Sequence, residues 1–479
     1  MRAMVLTALL TACNDNATAV SPVIDLPSND SASAFPLNTL VVAVAHAGSP
    51  ANIVSQTFES GQPIELPGVP FGDDLVIHMT GYIGPSEVAY GRSCQIAVGQ
   101  SAPPPTPHLF FSRGGVFADL DLPIAPELRM GGIGIADASG AGIILGGHDP
   151  AAATTAVTDV ERFDPHTGEL RLLTTVAPRR GGVAALLGIG SDARIALLGG
   201  EDPATGLGAG FVEYLTPEAP PSRRYERFDD AQLAIVGVTA TAMPGGEVVV
   251  IGGQGANSAP SAAVFEMKID QGAPTVKRKR AMLSHPRSGH TATRLTDDPG
   301  ASVLVVGGID GTGAPVRPAE LLRPLSDAFS ATFAYGMVVP RSRHAAVRMP
   351  EGSVMVIGGV DDHGVGVATL ERFSLDNGFV DAGNDLPSGT GLVDFAVTPL
   401  PDGRVLLTGG RTSDGRAVAN ALIIQLDASG LSVLHTVPMS VARAGHQATL
   451  LCDGNVLITG GTDAPSVAER YNPGSVGRR

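Results

Sequence analysis

The chain has no tryptophan, only three cysteines and three lysines, and aromatic residues are 4% of its 479 residues. Each shortage excludes something. Cys13, Cys94 and Cys452 are too few and too far apart for a disulfide framework, and no Cys-x-x-Cys pair exists to start a zinc site. A single bridge between Cys94 and Cys452, joining two domains, stays open. The lysines are Lys268, Lys277 and Lys279, and two of them lie in the one basic run, VKRKR (276–280). With a net charge of −15 the chain repels phosphate backbones, which argues against nucleic-acid binding. VKRKR reads either as a nuclear address or as a charged outer edge strand that discourages sheet-to-sheet association.

What is present suits many short strands joined by turns. The chain is 43% hydrophobic and 16% charged, with 61 glycines and 37 prolines. It can bury a large core, and 479 residues are too many for one ordinary domain unless that domain is built from repeats.

The first residues, MRAMVLTALLTAC, carry one positive charge, a short apolar stretch and small residues before Cys13. The stretch is shorter than the ~20 residues a spanning helix needs, so it reads as an export signal. Leu10-Thr11-Ala12-Cys13 resembles the bacterial lipobox. That resemblance implies cleavage after residue 12 and a diacylglycerol on the Cys13 thiol, which with further acylation holds a protein stably on a membrane. Asn14, rather than aspartate, follows the cysteine. This implies an outer-membrane lipoprotein of the bacterial cell envelope. Residues 13–36 are rich in Asn, Asp, Ser and Ala and read as a flexible tether. Short β-type runs between turns over 37–100 suggest a small β-sandwich, and SAPPPTP (101–107) a stiff linker.

The rest repeats. NVLITGG (455–461), RVLLTGG (404–410), SVMVIGG (353–359) and SVLVVGG (302–308) are variants of one string. Diglycines fall at 146–147, 199–200, 252–253, 307–308, 358–359, 409–410 and 460–461, at steps of 53, 53, 55, 51, 51 and 51 residues. Such a short apolar run bounded by turns is a strand buried on both faces. A strand with small residues precedes it, as in RSGHTATRL (287–295), and a third follows it, as in AERYNP (468–473). RSGH or RAGH, then VLxxGG, then AERYNP resemble kelch repeats over roughly 108–479. The resemblance implies a seven-bladed, all-β propeller of four-stranded blades. One departure is the missing fourth-strand tryptophan. The last repeat stops too soon to supply a fourth strand, so 108–123 is expected to complete the seventh blade and close the ring.

Candidate sites follow from the repeat. Asp149, Asp202, Asp310, Asp361 and Asp463 each lie two positions past a diglycine. Aspartate there either sets its own turn or contributes to an acidic ring able to bind a cation or a basic partner. The resemblance implies that these loops, and the residues before each inner strand, share one ligand face. The latter are Arg129, Arg180, Arg287, Arg341 and Arg443, which either pair as structural salt bridges or offer forked donors to a ligand. His290, His344 and His446 occupy one repeat slot, which Gly132, Val183, Val238 and Phe395 fill elsewhere. A slot that accepts valine and phenylalanine is a packing position, so no metal site is expected. Galactose-oxidase-like enzymes share the architecture but need a cysteine-linked tyrosine, a second tyrosine and two histidines. Cys452 with Tyr214, Tyr225, Tyr335 and Tyr471 resembles no such set. No catalytic residue and no cofactor is expected. The expectation is a binding protein with an envelope or extracellular protein partner. The alternatives are a carbohydrate-binding module, disfavoured by the scarce aromatics, and a propeller enzyme.

Overall fold

The computed structural model describes residues 17–20, 22–27, 36–59, 66, 68–100, 105–255, 259–324, 329–427, 430–462 and 467–475. Cys13, Asp463 and the whole of 1–12 lie outside them. No helix among the described residues is long and apolar enough to cross a membrane.

Among the described residues there are seven four-stranded antiparallel sheets. We number them I to VII along the chain and letter their strands A to D. Sheet I takes Ile133–Ala136, Gly142–Leu145, Asp159–Asp164 and Glu169–Thr175 in that order, and sheets II to VI repeat the order with consecutive strands. Sheet VII takes Gln447–Leu450, Val456–Thr459 and Glu469–Asn472 from the end of the chain and Val116–Asp119 from before sheet I. The A strands lie side by side in the order I to VII, and that of VII returns to that of I. This is an all-β architecture of the β-propeller kind.

The B strands are the apolar runs before the diglycines. In sheet IV, Val303, Leu304, Val305 and Val306 are all fully buried. Val303 and Val305 pack toward sheet III, while Leu304 and Val306 pack toward sheet V. Period-two alternation thus feeds two cores at once. Each such side chain contributes about 1.5–3 kcal/mol of burial.

The diglycines are where neighbouring sheets touch. Both glycines are left-handed throughout, for example Gly307 at φ +61° and Gly308 at +81°. A Cβ on Gly307 would stand 2.4 Å from the Arg341 carbonyl and 2.5 Å from the His344 ring of the next sheet. The second glycine donates its N–H to the next sheet at all seven junctions, as from Gly359 to the Leu392 carbonyl at 2.7 Å and from Gly461 to Arg129 at 2.8 Å.

The N-terminal part differs from the expected layout. Thr39–His46, Asn52–Glu59, Gly72–Ile83, Ser86–Arg92 and Ile96–Val98 form one antiparallel sheet with Ser112–Arg113. The stretch read as a tether contains paired strands: Ala17–Thr18 joins Val69–Pro70, and Val23–Asp25 runs parallel to His108–Phe110. Val20, Leu109 and Phe111 enter the core of this unit, and that burial orders them. Within 108–123, only Val116–Asp119 belongs to sheet VII; the chain crosses over at Gly114 and Gly115, the latter at φ +75°.

Cys94 and Cys452 form a disulfide across 358 residues, tying this N-terminal sheet to the A–B turn of sheet VII. Gly140 makes room for it, since a Cβ there would lie 2.4 Å from that of Cys452. VKRKR lies on the outer strand of sheet III, Ala273–Met282, as the edge-strand reading expects, and Lys279 pairs with Glu266 at 2.7 Å.

Candidate functional site

Antiparallel strands put the B–C loops and the connections between sheets at one end, and the A–B and C–D turns at the other. The first end carries the aspartates. Asp149 accepts from the Ala151 N–H and Asp202 from Ala204, both at 2.8 Å. Asp361 accepts from His363 and Val365. Asp310 accepts from the Thr312 N–H and hydroxyl, and these bonds hold its carboxyl below the ordinary range. Each carboxylate sets its own turn.

Four of the five candidate arginines are not exposed on that face. Arg129, Arg287, Arg341 and Arg443 are completely buried. They pair with Glu161, Glu320, Glu371 and Glu469 on strand C of the same sheet at 2.6–3.0 Å. Each also donates to the carbonyl of its own first diglycine residue, as Arg341 does to Gly358. The carboxylates in turn accept backbone N–H groups, such as those of Val338 and Val339 on Glu371. In sheet II the buried member is Arg179, paired with Glu213, while Arg180 stays partly exposed on Glu201. The repeat register there is therefore one residue earlier than expected, and Gly182 rather than Val183 precedes strand A. Burial draws all five buried guanidinium pKa values down, and the glutamates push back. Sheets III and VI replace the whole pair with Ile235–Phe265 and Leu392–Leu422. Both partners change together, because one charge left alone would be buried without compensation.

The slot histidines are packing residues, as expected. His290, His344 and His446 lie over Gly252, Gly307 and Gly409, and Phe395 lies over Gly358 in the same way. Their Nε2 atoms meet the hydroxyls of Thr239, Thr291 and Thr408 at 2.8–3.0 Å. Burial first, then the arginine three residues earlier, holds each pKa down to about 3, so the rings are neutral.

One further position distinguishes the face. The residue before the slot is left-handed in every sheet: Gly131, Gly181, Gly237, Gly289, Arg343, Asp394 and Gly445, at φ +55° to +66°. The slot residues and A strands that follow them, among them Gly132, Gly182, Thr239, His290 and His446, line a central channel of about 490 Å³. Backbone bonds link left-handed residues of neighbouring sheets, Gly289 to Gly237 and Gly445 to Asp394, each 2.7 Å. A Cβ on Gly131, Gly181 or Gly289 would meet nothing within 4 Å, so a side chain at these three positions would project into open space. Five sheets use glycine. Two adjacent sheets, V and VI, use charged residues at a cost of roughly 1–2 kcal/mol each. Arg343 and Asp394 pair at 2.7 Å, with Arg343 half exposed, and Arg411 approaches the same carboxylate at 3.5 Å. Asp362 and His363 are exposed on the adjoining loop of sheet V. The sequence carried this signal: RSRH (341–344) breaks the glycine of RSGH and RAGH.

No protein-family description matches the chain. No curated protein matches it either. Among solved structures it is similar to that of YjhT, at 14% identity and a TM-score of 0.47, over 65% of this chain and 99% of that one.

Proposed function

We propose that this chain is a non-catalytic binding protein of the bacterial cell envelope. Lipid on Cys13 anchors it, most simply to the outer membrane, and a small N-terminal β domain precedes a seven-bladed kelch-type propeller. The loop face above sheets V and VI engages an envelope or extracellular protein. The observation that carries this reading is the Arg343–Asp394 pair. Charges held in left-handed backbone where five sheets keep glycine cost the fold strain, and local strain of this kind concentrates where a partner is met. The face around them is open and polar, with Val365 exposed beside it, which suits a macromolecule better than an enclosed small ligand.

The test is covalent cross-linking on intact cells, comparing the native protein with an Arg343→Gly, Asp394→Gly double variant. A recurrent protein captured by the first and lost from the second supports the reading. Equal capture by both removes the face from consideration. Capture of no protein, together with glycan binding, favours the carbohydrate-binding alternative.

A further inference from the structure

The opposite end of the sheets holds a second, separate cavity. The N-terminal sheet lies against the A–B turns of sheets VI and VII, leaving a cleft of about 290 Å³ between them. His78, Tyr90 and Arg92 form one wall, and Asp402, Asp453 and Asn455 the other. The Cys94–Cys452 disulfide sits two residues from Arg92 and next to Asp453, so it fastens the two walls together.

Most charges in the cleft are already matched. Asp402 pairs with Arg404, and Asp453 with Arg470. His78 Nδ1 meets the Tyr90 hydroxyl at 2.5 Å. Arg92 is the exception. It is half-buried, it has no carboxylate partner among the described residues, and its Nε is shielded from water with no acceptor. Asn455 is also buried. Its Nδ2 donates to Asp453 at 2.9 Å, yet its Oδ1 accepts nothing. A shielded guanidinium N–H without an acceptor is costly, and so is a buried amide oxygen without a donor. Interfaces between domains are common places for small-ligand sites.

We propose that this cleft binds a small hydroxylated oxyanion. Its charged group takes the forked donors of Arg92, and a hydroxyl donates to Asn455 Oδ1. Asp402 and Asp453, each paired with its own arginine, set the opposite wall. The volume limits the ligand to about the size of a six-carbon hydroxy acid. The site is independent of the loop face above sheets V and VI.

Isothermal titration of the intact, oxidised protein tests this with three probes: D-gluconate, glycerol 3-phosphate and neutral sorbitol. Binding of an anionic probe about tenfold or more tighter than sorbitol is the expected result, and which anion wins separates carboxylate from phosphate. Arg92→Met should abolish that preference, and reduction of the disulfide should weaken it. Should Arg92→Met not fold, modification of Arg92 in the native protein by phenylglyoxal, read by mass spectrometry, replaces it; the bound anion should protect that residue. Equal binding of sorbitol, no binding of any probe, or unchanged modification of Arg92 would overturn the proposal.

Discussion

Arg341 and Glu371 meet at 2.6 Å inside sheet V, and neither side chain reaches solvent. The same link recurs in sheets I, II, IV and VII, and an apolar pair replaces it in III and VI. The fold therefore accepts two buried charges or none. Arg341→Leu alone should destabilise by about 3–5 kcal/mol, because Glu371 keeps its charge without a partner. Arg341→Leu with Glu371→Leu, copying Leu392–Leu422, should recover most of that loss. Chemical denaturation of the four-member cycle reads the coupling; additive effects would contradict it.

Arg343 and Asp394 should show the opposite behaviour. Arg343→Gly relieves a left-handed arginine and loses only an exposed ion pair. A net gain of about 1 kcal/mol is expected from these two terms. Asp394→Gly should gain less, because Arg411 loses its carboxylate as well. A rise in melting temperature with loss of partner capture would mark the pair as a functional cost carried by a stable scaffold.

The slot histidines predict acid sensitivity. Their folded pKa values, about 3, lie below the ordinary value of 6.5. Below pH 6.5 the unfolded chain binds protons that the folded protein refuses. Stability is thus full above pH 6.5 and falls as the pH drops toward 3, by about 1.4 kcal/mol per pH unit for each histidine. His344→Phe, which copies Phe395 of sheet VI, should flatten this slope by about one third of the contribution of the three rings. Melting temperatures between pH 7 and pH 5 measure it.

Reducing the Cys94–Cys452 disulfide should cost about 2–5 kcal/mol, since it closes a very long loop. The N-terminal sheet keeps its hydrogen bonds to Ser112–Arg113, so loosening rather than loss is expected. Calorimetry of a Cys94→Ser, Cys452→Ser variant should show a lower transition, and proteolysis should become faster in the N-terminal part.

Much of this molecule was legible in its sequence because it depends on local pattern. Seven apolar runs ending in Gly-Gly specify strands buried on both faces, since alternation along four residues feeds two neighbouring cores. Aspartates two places beyond the glycines specify their own turns. Histidine, valine and phenylalanine sharing one slot mark a packing position. Each of these rests on contacts made within a repeat or between adjacent repeats, where spacing alone brings the groups together.

Other features were decided only by tertiary structure. Arg341 needs Glu371, thirty residues on, to become a core residue instead of a surface ligand. In RRGG (179–182), which arginine is buried depends on the register of strand A, and pairing chooses Arg179. The strands at 17–18 and 23–25 lie in a stretch whose Asn, Asp, Ser and Ala read as tether, and are ordered by partners at 69–70 and 108–110. The disulfide and the cleft around Arg92 join residues more than 300 positions apart. A repeat period records which neighbours stack, but burial, charge compensation and the docking of the N-terminal sheet follow from long-range contacts that no local pattern encodes.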